Sequence, residues 1–134
     1  MTISTSGSGK PRQGGTNGLL VAIAEDDRNL RESLGNIFEA SGFGVRLFAT
    51  ANPLLNAPDF EDFDCIVADV GLPDIRGTEL QVLVRSRRPE LPVFLMTGRY
   101  ELAERSAPGE RFFLKPFNPV ELLDAVHQAL RSTS

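Results

Sequence analysis

The sequence holds one cysteine, Cys65, and one histidine, His127. A single thiol excludes an internal disulfide and any cysteine-based metal cluster. A single imidazole excludes a multi-histidine zinc site and leaves a histidine-dependent triad without support. No apolar run approaches the ~18–20 residues of a membrane span. The first 18 residues lack an apolar stretch of their own, so they do not read as a secretory signal. Positive charge is in short supply: 14 Lys and Arg face 18 Asp and Glu, for a net charge of −4. That balance argues against a nucleic-acid surface. Lysine is scarcer still, with Lys115 the only one after Lys10. Lysine offers a compact point charge that arginine cannot imitate, so an isolated one in an arginine-rich chain is notable. A reducing, cytoplasmic setting is the expectation.

What is present fits one domain. A chain of 134 residues can bury a core without staples. Residues 1–18 are rich in Ser, Thr and Gly and read as a disordered tail or linker. Their charge is +2, which leaves −6 on the rest. From Leu19 to Ala24 runs an unbroken apolar segment, as in a strand buried on both faces of a parallel sheet. Helical spacing follows through Leu30, Leu34, Ile37 and Phe38, with Gly42 as the stop. Further strands are expected at Val45–Phe48, Cys65–Asp69, Pro92–Thr97 and Phe112–Lys115. Helices are expected at 51–57, Thr78–Arg87 and Pro119–Leu130, with 132–134 as a C-terminal tail. Between the fourth and fifth strands, Gly98 to Glu110 leave room for about two helical turns. A fourth helix there is expected to be short or irregular. Strand and helix alternate five times, which indicates an α/β domain with a parallel sheet. Ligands of such sheets sit at the carboxyl ends of the strands.

Those ends carry the chemistry. Strand one ends in Glu25-Asp26-Asp27, strand three in Asp69, strand four in Thr97 and strand five in Lys115. Crowded carboxylates repel unless a cation joins them. A few hard oxygen donors suit Mg²⁺. A carboxylate beside a metal can attack a phosphoryl group, with Lys115 and Thr97 answering its oxygens. Each residue alone has a plainer reading: Asp26 or Asp27 as a helix cap, Asp69 and Thr97 as turn openers, Lys115-Pro116-Phe117 as a loop. All of them together, in this order, point to a phosphoryl site. His127 reads as a surface residue of the last helix, and Cys65 as a small core residue.

Residues 19–131 resemble the receiver domain of two-component response regulators. The carriers are Glu25-Asp26, Asp69 with Leu72-Pro73 and Gly77, Thr97, and Lys115-Pro116-Phe117. The resemblance implies a flavodoxin-like, doubly wound (βα)5 sandwich with strand order 2-1-3-4-5. It implies a phosphoacceptor, Asp69, served by a histidine kinase or phosphotransfer protein. It implies Mg²⁺, or Mn²⁺, held by Asp26, Asp69 and the carbonyl of Gly71, with Glu25 reaching it through water. Thr97 and Phe112 would be the switch pair, and the Lys115–Pro116 peptide would be cis. A downstream protein partner, and a homodimer through the fourth- and fifth-helix face, are further implications. Gly98 departs from the family pattern, where Ala follows the switch hydroxyl, and Thr97 to Lys115 is shorter than usual.

The chain stops after the fifth helix, so a stand-alone receiver, a phosphorelay intermediate or a piece of a larger regulator is expected. The function is then a phosphorylation-dependent binding module, not an enzyme, without nucleic acid or membrane as partner. The alternative is a Mg-dependent phosphoaspartate phosphatase of haloacid dehalogenase type. That family places a second Asp two residues after its nucleophile, where this chain has Gly71. A flavodoxin-like flavin carrier would need a Ser/Thr/Gly-rich phosphate loop after strand one, where acids stand instead.

Overall fold

The computed structural model describes residues 17–98 and 111–132. Five strands alternate with helices in chain order: β1 (Leu20–Ala24), α1 (Arg28–Ala40), β2 (Gly44–Phe48), α2 (Ala51–Leu55), β3 (Cys65–Asp69), α3 (Gly77–Arg87), β4 (Val93–Thr97), β5 (Arg111–Leu114) and α4 (Pro119–Ser132). A short 3₁₀ turn, Phe60–Asp62, precedes β3. All strand pairs are parallel, in the order β2-β1-β3-β4-β5, which is the order the resemblance implied. The last helix continues two residues past the expected Leu130. The expected short helix between β4 and β5 lies outside the described residues, as does the segment 1–16.

Alternation along the central strands sends successive side chains to opposite faces. Leu20, Ala22, Ala24, Ile66, Ala68 and Leu95 pack on one face beneath α2 and α3 residues such as Leu54, Leu80 and Val84. Val21, Ile23, Val67, Phe94 and Met96 pack on the other, against Leu34 and Phe38 of α1 and Leu122 and Val126 of α4. Every residue of β1, β3 and β4 is buried, which is why those strands read as continuous apolar runs. A fully buried Leu, Ile or Phe contributes about 1.5–3 kcal/mol over an exposed one. Cys65 lies in this core as expected; burial pushes its thiol pKa up and leaves it unreactive.

His127 corrects one expectation. It is half-buried, and its ring lies 4.9 Å from that of Phe43. The apolar stripe of α4 is wide enough to press the imidazole onto the turn after α1. That turn is made by Gly42 at φ 100, a conformation glycine adopts without a Cβ clash.

The strand order has a functional consequence. From β1 the chain moves out to the β2 edge, and from β3 it moves toward the β5 edge. The carboxyl ends of β1 and β3 therefore flank the point where winding reverses.

Candidate phosphoryl-transfer site

At the end of β1 the three acids separate into three roles. Glu25 is 1% exposed, and its amide donates to the Phe48 carbonyl at 2.9 Å. Its Oε2 accepts from the Asp27 amide at 2.9 Å. Asp27 is the N-cap of α1, with Oδ1 accepting from the Leu30 amide at 3.1 Å. The cap that sequence left open between Asp26 and Asp27 therefore falls to Asp27. Asp26 is exposed between them.

Asp69 ends β3, buried beside this group. One carboxylate oxygen of each of Glu25, Asp26 and Asp69 lies within 4.8 Å of the others. Three hard, charged oxygens in that space are the donor chemistry a small divalent cation prefers. The backbone holds Asp69 closely. Its Oδ2 accepts from the Gly71 amide at 3.2 Å, and the Val70 amide donates to the Met96 carbonyl of β4. Gly77 opens α3 directly against this strand end. A Cβ there would meet Val70 Cα at 2.7 Å and the Asp69 carbonyl oxygen at 2.9 Å, so a side chain would force the helix and the end of β3 apart.

Lys115 reaches the group from the far edge of the sheet. Its amide donates to the Thr97 carbonyl at 2.7 Å, and Thr97 pairs with Leu114, so β5 sets the lysine directly beyond β4. Its Nζ lies 3.0 Å from Glu25 Oε1 and 2.9 Å from Asp69 Oδ1. The Lys115–Pro116 peptide is cis.

The electrostatics follow from this packing. Burial raises the Glu25 pKa above the usual carboxylate value, against the hydrogen bonds from Asp27 and Lys115; the Asp69 charge adds to the rise. Burial works to lower the Lys115 pKa, but hydrogen bonds and charge from Asp69 and Glu25 outweigh it and raise it.

A cleft of about 530 Å³ opens on the other flank of Asp69, lined by Gly71, Arg76, Thr97 and Lys115 among others. Asp69 thus faces carboxylates on one side, and on the other a space bordered by a hydroxyl and two cations. That division suits an anion with several oxygens. Thr97 is buried at the end of β4 as expected. Phe112 is half-buried and packs against the core beneath α2 and α3, in register with Leu95. Gly71 contributes its amide to Asp69 and leaves the cleft open for want of a side chain. Arg76 was not singled out from sequence. Only the placement of the α3 start beside Gly77 brings its exposed side chain to the cleft.

Comparison with known proteins agrees with this fold. The sequence matches the response regulator receiver domain over residues 21–127. It is 32% identical over 115 residues to the transcriptional regulatory protein FixJ of Bradyrhizobium diazoefficiens, covering 83% of this chain and 56% of that one. The chain spans about half the length of the curated relatives it matches. In three dimensions it resembles a CheY-like receiver domain protein from Methanospirillum hungatei, with a TM-score of 0.75 at 29% identity, covering 85% of this chain and 94% of that one. The BeF3-activated receiver domain of DrrB, a Thermotoga maritima protein, gives a TM-score of 0.72 at 33% identity and covers 84% and 97%. The chain belongs to the response regulator receiver domain family of two-component systems.

Proposed function

We propose that the chain is a receiver that takes a phosphoryl group on Asp69 and changes partner binding in response. The observation that carries this is the Lys115 ammonium 2.9 Å from Asp69 Oδ1, beside the Glu25–Asp26–Asp69 carboxylate group. An Asp69 oxygen forms a bond to phosphorus as the P–N bond of a phosphohistidine breaks. The electron pair of that bond stays on the imidazole nitrogen, which leaves as neutral imidazole when the other nitrogen carries a proton. Glu25, Asp26, Asp69 and the Gly71 carbonyl are the residues that would hold Mg²⁺ or Mn²⁺. A bound cation would offset their charge and polarise a phosphoryl oxygen. Lys115 and Thr97 bind the remaining phosphoryl oxygens from the cleft side. Thr97, drawn toward them, frees space that Phe112 fills, and the β5 face changes shape.

The donor is a histidine kinase or histidine phosphotransfer protein, and the setting is cytoplasmic. The receiver itself is residues 19–131, with residues 1–18 as tail or linker. Its output is a protein partner, or a second copy met through the face next to β5 and α4. Gly71 supports a signalling role over a phosphatase one, because it places no acid where a leaving group would need a proton. Beryllofluoride, which activates the DrrB receiver domain, fits the same reading of this cleft. Transfer from a panel of phosphorylated histidine kinases tests the assignment. A cognate kinase should label the protein within seconds to minutes and far faster than the others; no labelling from any kinase or phosphotransfer protein of the source organism would contradict it.

A further inference from the structure

We infer that Arg31 is a positioning residue: it fixes the backbone on both sides of Asp26 and so aims that exposed carboxylate at the cation site. The inference rests on the metal reading above. Arg31 is the fourth residue of α1, whose first turn contains no acidic residue. A cation at a helix N-terminus faces the positive end of the helix dipole, so this placement works against helix stability. Arg28, also in that turn, is answered by Glu32 at 3.1 Å. Arg31 turns back over the end of β1 instead. Its Nη1 donates to the Glu25 carbonyl at 2.9 Å and approaches the Asp26 carbonyl at 3.5 Å, a longer and weaker contact.

Those two oxygens belong to the peptide units immediately before and after the Asp26 Cα. Fixing both fixes the φ and ψ of Asp26, and with them the direction of its Cα–Cβ bond. On the unit after Asp26 the 3.5 Å contact only supplements the Asp27 amide, which is already bonded to Glu25. On the unit before it, the Arg31 bond to the Glu25 carbonyl is the strong one, while the Glu25 amide on Phe48 and the Leu30 amide on Asp27 act on neighbouring units. Residues that orient a metal ligand from behind commonly matter nearly as much as the ligand itself. A sequence that breaks a local rule tends to do so where function compensates. Here the misplaced helix-terminal charge is matched by two carbonyls at the site.

Charge and positioning make opposite demands on one measurement. As a bare charge, Arg31 repels a divalent cation, so its removal should tighten binding. As a positioning residue, its removal should loosen binding. Mn²⁺ affinity is read by electron paramagnetic resonance for wild type, Arg31→Gln and Arg31→Lys, with folding of each checked by circular dichroism. We expect Arg31→Gln to bind Mn²⁺ about tenfold more weakly than wild type. Arg31→Lys should fall between them, because an ammonium lacks the planar fork. Amide exchange at Asp26 and Asp27 should also quicken in metal-free Arg31→Gln. Equal or tighter Mn²⁺ binding by Arg31→Gln overturns the inference. If Arg31→Gln does not fold, Arg31→Lys decides: weaker binding supports the inference and wild-type affinity overturns it. A wild type that binds no Mn²⁺ overturns the metal reading, and the inference with it.

Discussion

The ammonium of Lys115 lies 3.0 Å from the buried carboxylate of Glu25, ninety residues earlier in the chain. The same ammonium touches Asp69, so without a metal it is the cation that lets these carboxylates share one strand edge. Glu25 has its pKa raised by burial, so its protonation favours the fold at low pH, and that benefit is lost as pH rises through the folded value. Lys115 has a raised pKa too. Its contribution is full below the ordinary lysine value and is lost as pH climbs through the folded one. Lys115→Met should therefore destabilise the metal-free protein by about 1–2 kcal/mol near neutral pH, discounted from a fully buried pair because the lysine is partly solvated. The loss relative to wild type should shrink as acid protonates Glu25. Urea melts of both proteins across pH check this; a loss that grows on acidification would contradict it.

Asp26 makes the opposite contribution. Asp27 provides the helix cap, so Asp26 is free to serve the cation site and adds repulsion when the site holds no metal. Asp26→Ala should raise the metal-free melting temperature, with relief of about 1 kcal/mol at a partly solvated position. It should also weaken Mg²⁺ binding. A lower melting temperature without metal would show that Asp26 supports the loop in a way these hydrogen bonds do not explain.

Asp74 holds α2 from a distance. Thr50, the N-cap residue of that five-residue helix, makes no side-chain capping bond. The Asp74 carboxylate accepts from the Ala51 and Asn52 amides instead, at 2.9 and 2.7 Å. At the other end, the Arg87 guanidinium donates to the Leu55 carbonyl at 2.7 Å. The Asp74 pKa is lowered: desolvation is the largest single influence and acts to raise it, but the backbone hydrogen bonds from Ala51, Asn52, Asp74 and Ile75 together outweigh it. Its stabilisation is thus present above the ordinary Asp value and lost as pH falls through the folded one. Asp74→Ala should cost about 0.5–2 kcal/mol, the range for a lost cap. Chemical denaturation at neutral pH should show that loss, and in strong acid the two proteins should converge. A neutral-pH difference of zero would mean that α2 stands without its cap.

How far the sequence could be read is visible in these residues. Asp69, Thr97 and Lys115 each follow an apolar run, and the parallel sheet puts such run-ends on one edge. Their convergence therefore follows from pattern alone. Asp74, Arg31 and Arg76 were missed because nothing local marks them. Asp74 bonds amides 22 and 23 residues earlier, Arg31 bonds carbonyls, and Arg76 reaches the cleft only through the packing of Gly77 on Val70. Backbone carbonyls and amides are identical in every residue type, so a side chain that binds them leaves no sequence partner to find. The choice between Asp26 and Asp27 as helix cap was open for a related reason: adjacent acids are equally able to cap, and the backbone angle decides.

The most direct test of the account is the phosphoacceptor itself. Asp69→Asn keeps the shape of the side chain and removes the charged oxygen proposed to attack phosphorus. Wild type and Asp69→Asn are incubated with acetyl phosphate and Mg²⁺, and their intact masses are measured. The account predicts one added phosphoryl group on wild type, none when a chelator is present, and none on Asp69→Asn under any condition. Equal addition to both proteins would contradict it, because the phosphoryl group would then reside on a residue other than Asp69.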